Sequence, residues 1–129
     1  MKNTMKFLGI IAIVAIIGVT FAACDELLVP SAPSGLYARA TSSSNIDLTW
    51  YSVSGATGYY VYSSGSRYGS YTRIGSVTST YASNYNLPSS TTRYYRVTAY
   101  NSYGESDYSN TDYATTYSSY YNVQPDPDF

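Results

Sequence analysis

The stretch YYRVTAYNSYGESDYS, Tyr94 to Ser109, decides the fold. Tyr95, Val97 and Ala99 alternate with Tyr94, Arg96, Thr98 and Tyr100, the period of two that marks a half-buried antiparallel strand. An Asn-x-x-Gly turn follows at Asn101 to Gly104, and after it the chain resumes in the opposite direction. Upstream the same alternation recurs. Leu36, Ala38 and Ala40 alternate with Tyr37 and Arg39; Ile46, Leu48 and Trp50 with Asp47 and Thr49; Tyr59 and Val61 with Tyr60 and Tyr62. Turn-rich segments at residues 41–45, 52–58, 63–70, 87–91 and 101–105 separate these runs. Two less regular strands are expected near residues 71–75 and 77–85, and a last one near residues 108–115. Seven short strands in under ninety residues predict an all-β sandwich with Leu36, Ile46, Leu48, Trp50, Tyr59, Val61, Leu87, Tyr95, Val97 and Ala99 as its core.

The residues before this domain carry a different message. Lys2 and Lys6 give the N-terminus positive charge, and residues 7–23 are apolar or small, ending in Ala22 and Ala23. That is the n-region, h-region and exit of a secretory signal, with a retained transmembrane anchor as the alternative, since a span needs about 17 to 25 residues. Cys24 is the single cysteine of the chain, and histidine is absent. An intramolecular disulfide, a zinc site and the usual nucleophilic dyads are therefore not open to it. Phe21-Ala22-Ala23-Cys24 resembles a bacterial lipoprotein signal, apart from Phe21 where leucine is usual. The resemblance implies cleavage before Cys24 and acylation of Cys24, including palmitate-like chains, with residues 24–29 as a short tether. Several acyl chains anchor a small domain firmly where one is marginal. A chain so processed works in the bacterial cell envelope, on the outer membrane or the outer face of the cytoplasmic membrane.

Beyond residue 23 the chain has five arginines, no lysine and eight acids, a net charge of −3. Nothing in that balance favours nucleic acid as a partner. The anomaly of the composition is tyrosine, 18 residues against 3 Phe and 1 Trp. Tyrosine suits strands, and its flat apolar body with a polar tip suits a core rim or a contact surface.

Taken together, residues 30–116 resemble a fibronectin type III domain of the kind found in bacterial envelope and secreted proteins. PSAPSGLYARA is similar to the proline-marked first strand of that family, SNIDLTW to the second strand with its core tryptophan, and SGATGYYVYSS to the loop and third strand. YYRVTAYNSYGESDYS is similar to the sixth strand, turn and start of the seventh. Residues 117–129, with Pro125 and Pro127, are expected to form a flexible tail. One position departs from the family. The slot of the tyrosine-corner residue, six after Leu87 and four before Val97, holds Arg93. Either the Arg93 guanidinium bonds back to the chain upstream, or Tyr94 does so after a local bulge.

No base stands beside any of the serines and threonines in sequence, so no catalytic residue is assigned and an enzyme is not expected. No cofactor is expected either. Glu105 and Asp107 flank a turn without the ligand spacing of a known calcium loop, so no metal site is assigned. There is no Arg-Gly-Asp tripeptide. The topology that the resemblance implies places the third and sixth strands side by side, with Tyr60, Tyr62, Tyr94, Arg96 and Tyr100 facing outward together. Such a face has the composition of a paratope and also suits stacking on sugar rings; equally, its tyrosines could serve only as cross-strand pairs. Two functions follow: a lipid-anchored envelope module that binds protein or glycan in adhesion, or a structural spacer or assembly subunit with no ligand of its own.

Overall fold

The computed structural model describes residues 28–122. The signal segment 1–23, Cys24, most of the tether and the end of the tail lie outside the described residues. Eight strands form among the described residues: β1 (Tyr37–Ala40), β2 (Ile46–Thr49), β3 (Gly58–Ser64), β4 (Thr72–Val77), β5 (Tyr81–Asn84), β6 (Thr92–Asn101), β7 (Gly104–Glu105) and β8 (Asp112–Thr115). They make two antiparallel sheets. One runs in the order β1-β2-β5, the other β4-β3-β6, with β7 and β8 both pairing along the far edge of β6.

The alternating residues close the space between the sheets. Ile46, Leu48, Tyr95, Val97 and Ala99 are fully buried, and Leu36, Trp50, Tyr59 and Val61 nearly so. Leu87 packs against this cluster only half-buried, because it sits in the connection between β5 and β6 and not on a strand. The Trp50 and Tyr59 rings meet edge to face at 5.5 Å, and the Tyr59 hydroxyl accepts a hydrogen bond from the Val53 amide at 2.9 Å.

The expected seventh strand is broken in two. Between β7 and β8 the serine side chains take over the ladder: Ser106 Oγ accepts from the Ala99 amide and Ser109 Oγ from the Val97 amide, each at 2.9 Å. Past that point, side chains also bridge the two sheets. Asn110 both accepts from the Leu36 amide and donates to the Leu36 carbonyl, each at 2.9 Å, and the Asp112 carboxylate accepts from the Ala38 amide at 2.7 Å. The outer edge of β1, whose unpaired amides would otherwise invite another strand, is thereby closed.

The tail begins later than the sequence suggests. The Tyr117 hydroxyl donates to the Ala40 carbonyl at 2.9 Å, its amide to the Ser42 carbonyl, and its carbonyl accepts from the Ser90 amide. Tyr117 thus belongs to the sandwich, and a 3-10 turn follows at Ser119–Asn122.

Candidate binding face

The register of β3 against β6 pairs Gly58 with Tyr100, Tyr60 with Thr98, Tyr62 with Arg96 and Ser64 with Tyr94. Alternation turns these positions away from the core, so Tyr60, Tyr62, Tyr94, Arg96 and Tyr100 share the outer face of the five-stranded sheet. They are half-buried there, because they cover one another.

Gly58 is what allows the first contact. A Cβ at this position would stand 2.5 Å from the Tyr100 hydroxyl, so the Tyr100 ring lies across the bare glycine backbone and reaches Tyr60. The two rings stack with centroids 4.2 Å apart and planes 19° from parallel. On the other side the Arg73 guanidinium sits 4.3 Å from the Tyr60 centroid. Arg73 reaches this face through a bulge: Val61 pairs with Gly75, but Tyr62 pairs with Arg73, skipping Ile74. The extra residue exchanges the faces of β4, turning Arg73 outward and leaving Ile74 at the seam beside Leu48 and Val61.

Arg96 occupies the middle of the face. Its guanidinium lies 4.1 Å from the Tyr71 ring centre and 5.2 Å from that of Tyr108, and Nε donates to Thr111 Oγ1 at 2.9 Å. Tyr108 meets Tyr62 edge to face at 5.1 Å. Below this group the Glu105 carboxylate accepts hydrogen bonds from the Tyr62 hydroxyl and from Thr98 Oγ1, the latter at 2.6 Å. Burial, and then the Glu105 carboxylate as hydrogen-bond acceptor and negative charge, push the Tyr62 phenol up to about 12. Tyr62, Thr98, Glu105 and Tyr108, with Ser106 and Asp107, line a shallow cavity of about 250 Å³. At the far end of the face the Tyr94 and Tyr113 rings lie 5.3 Å apart.

At the tyrosine-corner slot Arg93 bonds back no further than its chain neighbour, and Tyr94 does not take its place. Its Nη1 donates to the carbonyl of the adjacent Thr92, and β6 pairs with β8 without a bulge, leaving Tyr94 on the outer face. The corner is tied from the opposite strand end, where Thr116 Oγ1 donates to the Pro88 carbonyl at 2.7 Å and accepts from the Thr91 amide at 2.9 Å.

Sequence reasoning placed five side chains on this face and missed Tyr71, Arg73, Glu105, Tyr108 and Tyr113. Tyr71 and Tyr108 lie outside the strands and join by the reach of their rings; Arg73 depends on the bulge. Among the described residues no group of three or more His, Cys, Asp or Glu side chains is placed to hold a metal ion.

No family model matches the chain. A poly(3-hydroxybutyrate) depolymerase of Ralstonia pickettii is 40% identical over 91 residues, which cover 70% of this chain and 17% of that protein. The chain thus spans about a sixth of the length of that curated relative. Among solved structures, an Fn3-like protein from Clostridium thermocellum is 32% identical, with a TM-score of 0.62 over 65% of this chain and 90% of its own. A crystal structure of titin domains is 27% identical, with a TM-score of 0.63 over 69% of this chain and 32% of that one.

Proposed function

The chain belongs to the fibronectin type III family, and from that premise we propose that it is a membrane-tethered module of a bacterial cell envelope that binds a protein or a glycan through its tyrosine and arginine face. The observation that carries this reading is the contiguity of the face. Two guanidinium groups and a series of tyrosine rings lie together on one sheet, and neither Arg73 nor Arg96 meets a carboxylate among the described residues. Rigid amphipathic rings supply contact area at low entropic cost, and arginine supplies directed hydrogen bonds. The tether is the one read from residues 1–29, through acylated Cys24 or a retained span.

The reading assigns no catalysis to this chain. The depolymerase is similar over a small share of its length, which favours a shared module over a shared activity. Within the domain the hydroxyl groups have no histidine to activate them.

A second reading is a spacer or assembly subunit. It draws support from the mutual packing of the same rings, Tyr60 on Tyr100 and Tyr94 on Tyr113, which stabilises a sheet whether or not a ligand exists. The test is a panel of cell-surface proteins, glycans and, because of the relative found, poly(3-hydroxybutyrate) particles. The native protein is compared with Tyr60→Ser combined with Tyr94→Ser. A partner retained by the native protein and lost by a folded double variant supports the binding face; no retained partner across the panel supports the spacer.

A further inference from the structure

The chain enters the sandwich at one pole, and Asn101 fixes it there. Asn101 Nδ2 donates to the Leu28 carbonyl at 2.6 Å and to the Gly55 carbonyl at 3.4 Å, while Oδ1 accepts from the amides of Tyr103 and Gly104. Gly104, with φ of 150°, passes so close that a Cβ would stand 3.1 Å from Val29 Cγ2. One side chain therefore clamps the incoming segment, the loop before β3 and the turn after β6 together. The starts of β1, β3 and β5 and the ends of β2, β4 and β6 meet at the same pole.

This pole is uncharged, and exposed apolar and aromatic side chains stand among its hydroxyl groups. Residues 28–38, 50–58, 77–82 and 99–104, which build it, contain no acidic or basic side chain. Leu28 is 63% exposed, Val29 46%, Tyr51 70% and Tyr103 51%. Arg67 and Arg93 lie at the opposite pole, with the turn between β3 and β4 and the start of β6.

We propose that this pole rests on the lipid surface, with Leu28, Val29, Tyr51 and Tyr103 seated at the headgroup boundary. The inference depends on the membrane tether of the proposed function, and the length of chain outside the described residues argues for this occupant over any other. From Cys24 to Leu28 are four steps, at most about 14 Å of extended chain. The chain leaves the bilayer at the same place whether Cys24 is acylated or residues 7–23 remain as a span. The clamp at Asn101 then leaves little freedom for the pole to turn away. Tyrosine is favoured at membrane interfaces, where its ring is sheltered and its hydroxyl hydrated. The net negative charge of the chain matches a zwitterionic surface better than an anionic one. One consequence concerns the binding face. The turns at residues 51–57 and 101–104 are covered by lipid, and the outer face of the five-stranded sheet stands up from the bilayer, open to a partner.

The test uses the full chain reconstituted in phosphatidylcholine vesicles that carry bromine-labelled acyl chains, which quench nearby tryptophan. Tyr51→Trp and Tyr103→Trp probe the pole; Tyr68→Trp, at an 89% exposed position in the turn between β3 and β4, is the distant control. The unsubstituted chain gives the contribution of Trp50. Expected is loss of emission from the two pole variants and none from Tyr68→Trp. Protein that floats with the vesicles while all three variants are quenched alike, or none is, overturns the docking and leaves the tether standing. Protein that does not float overturns the tether and the docking with it. The Tyr51 ring covers Gly35; should Tyr51→Trp fail to fold by circular dichroism, Tyr103→Trp alone decides.

Discussion

The guanidinium of Arg96 is held 4.1 Å from the centre of the Tyr71 ring, and no carboxylate approaches it among the described residues. A half-buried cation in the middle of a strand must recover what it loses in hydration. Here the recovery comes from the faces of Tyr71 and Tyr108 and from one charged hydrogen bond to Thr111. Cation–π contacts contribute about 0.5 to 1 kcal/mol when exposed and about 2 when desolvated. The arrangement needs a planar group, since stacking and a directed Nε bond are required at once.

Arg96→Ala should therefore cost about 1 to 3 kcal/mol in urea unfolding, the sum of the ring contacts and a charged hydrogen bond. Arg96→Lys should recover only part of it, because an ammonium cannot lie flat between the rings and bond Thr111 together. Equal stability of the lysine variant and the native protein would show that charge alone matters at this position.

The edge of β1 gives a second measurable quantity. Asn110→Ala leaves the Leu36 amide and carbonyl without their partner, and Asp112→Ala does the same to the Ala38 amide. An unsatisfied, partly buried group costs about 1 to 3 kcal/mol. Each substitution should lower stability by about that amount, and each should raise the tendency to associate, since an unpaired edge templates another strand. Sedimentation of the two variants against the native chain checks the association. Monomers that are also unchanged in stability would mean that water replaces these side chains without loss.

Much of this architecture is legible in the sequence because alternation is a geometric consequence of the strand itself. Tyr95, Val97 and Ala99 had to face one way and Tyr94, Arg96 and Tyr100 the other. What escaped detection lies where that period is interrupted. The bulge at Ile74 sends Arg73 to the face opposite the one an unbroken count assigns. Ser106 and Ser109 substitute side-chain oxygens for ladder carbonyls, so the last strand continues where no alternation marks it. Arg93 sits in the slot that the family pattern gives it, but the bonds that close the corner come from Thr116, distant in sequence. Asn101 reads as a turn residue, and its contact with Leu28 depends on a pairing across 73 positions.

Alkaline titration should show Tyr62 and Tyr95 ionising late. Tyrosine in an unfolded chain ionises near 10, whereas the Tyr62 phenol is pushed up to about 12, first by burial and then by Glu105. Burial also raises Tyr95, opposed by its hydrogen bond from Asn84 and by Arg93. The folded state then holds these protons at a pH where the unfolded state releases them. The Tyr62 contribution to stability is complete below about pH 10 and falls as pH rises toward 12. Tyr62→Phe should flatten that fall, and tyrosinate absorbance should show one fewer late-titrating group. An unchanged slope in Tyr62→Phe would place the alkaline sensitivity elsewhere.

Trp50 offers the sharpest test of the core. It is 4% exposed and packs edge to face on Tyr59, yet its indole Nε1 is buried with no hydrogen-bond partner. Two opposing quantities meet in this side chain. Its volume and ring contact stabilise the sandwich, and truncation to alanine commonly costs about 3 to 5 kcal/mol. The unpartnered N–H works against it by about 1 to 3 kcal/mol, the desolvation of a donor that finds no acceptor. Trp50→Ala removes both, and in a domain whose stability is about 5 to 15 kcal/mol it should bring the protein near unfolding at body temperature. Trp50→Phe keeps a ring against Tyr59 and discards the N–H, so it should cost far less than Trp50→Ala. Thermal melts of the two variants decide the matter. Should Trp50→Phe fall as far as Trp50→Ala, the N–H carries no penalty and the indole volume alone holds the two sheets in place.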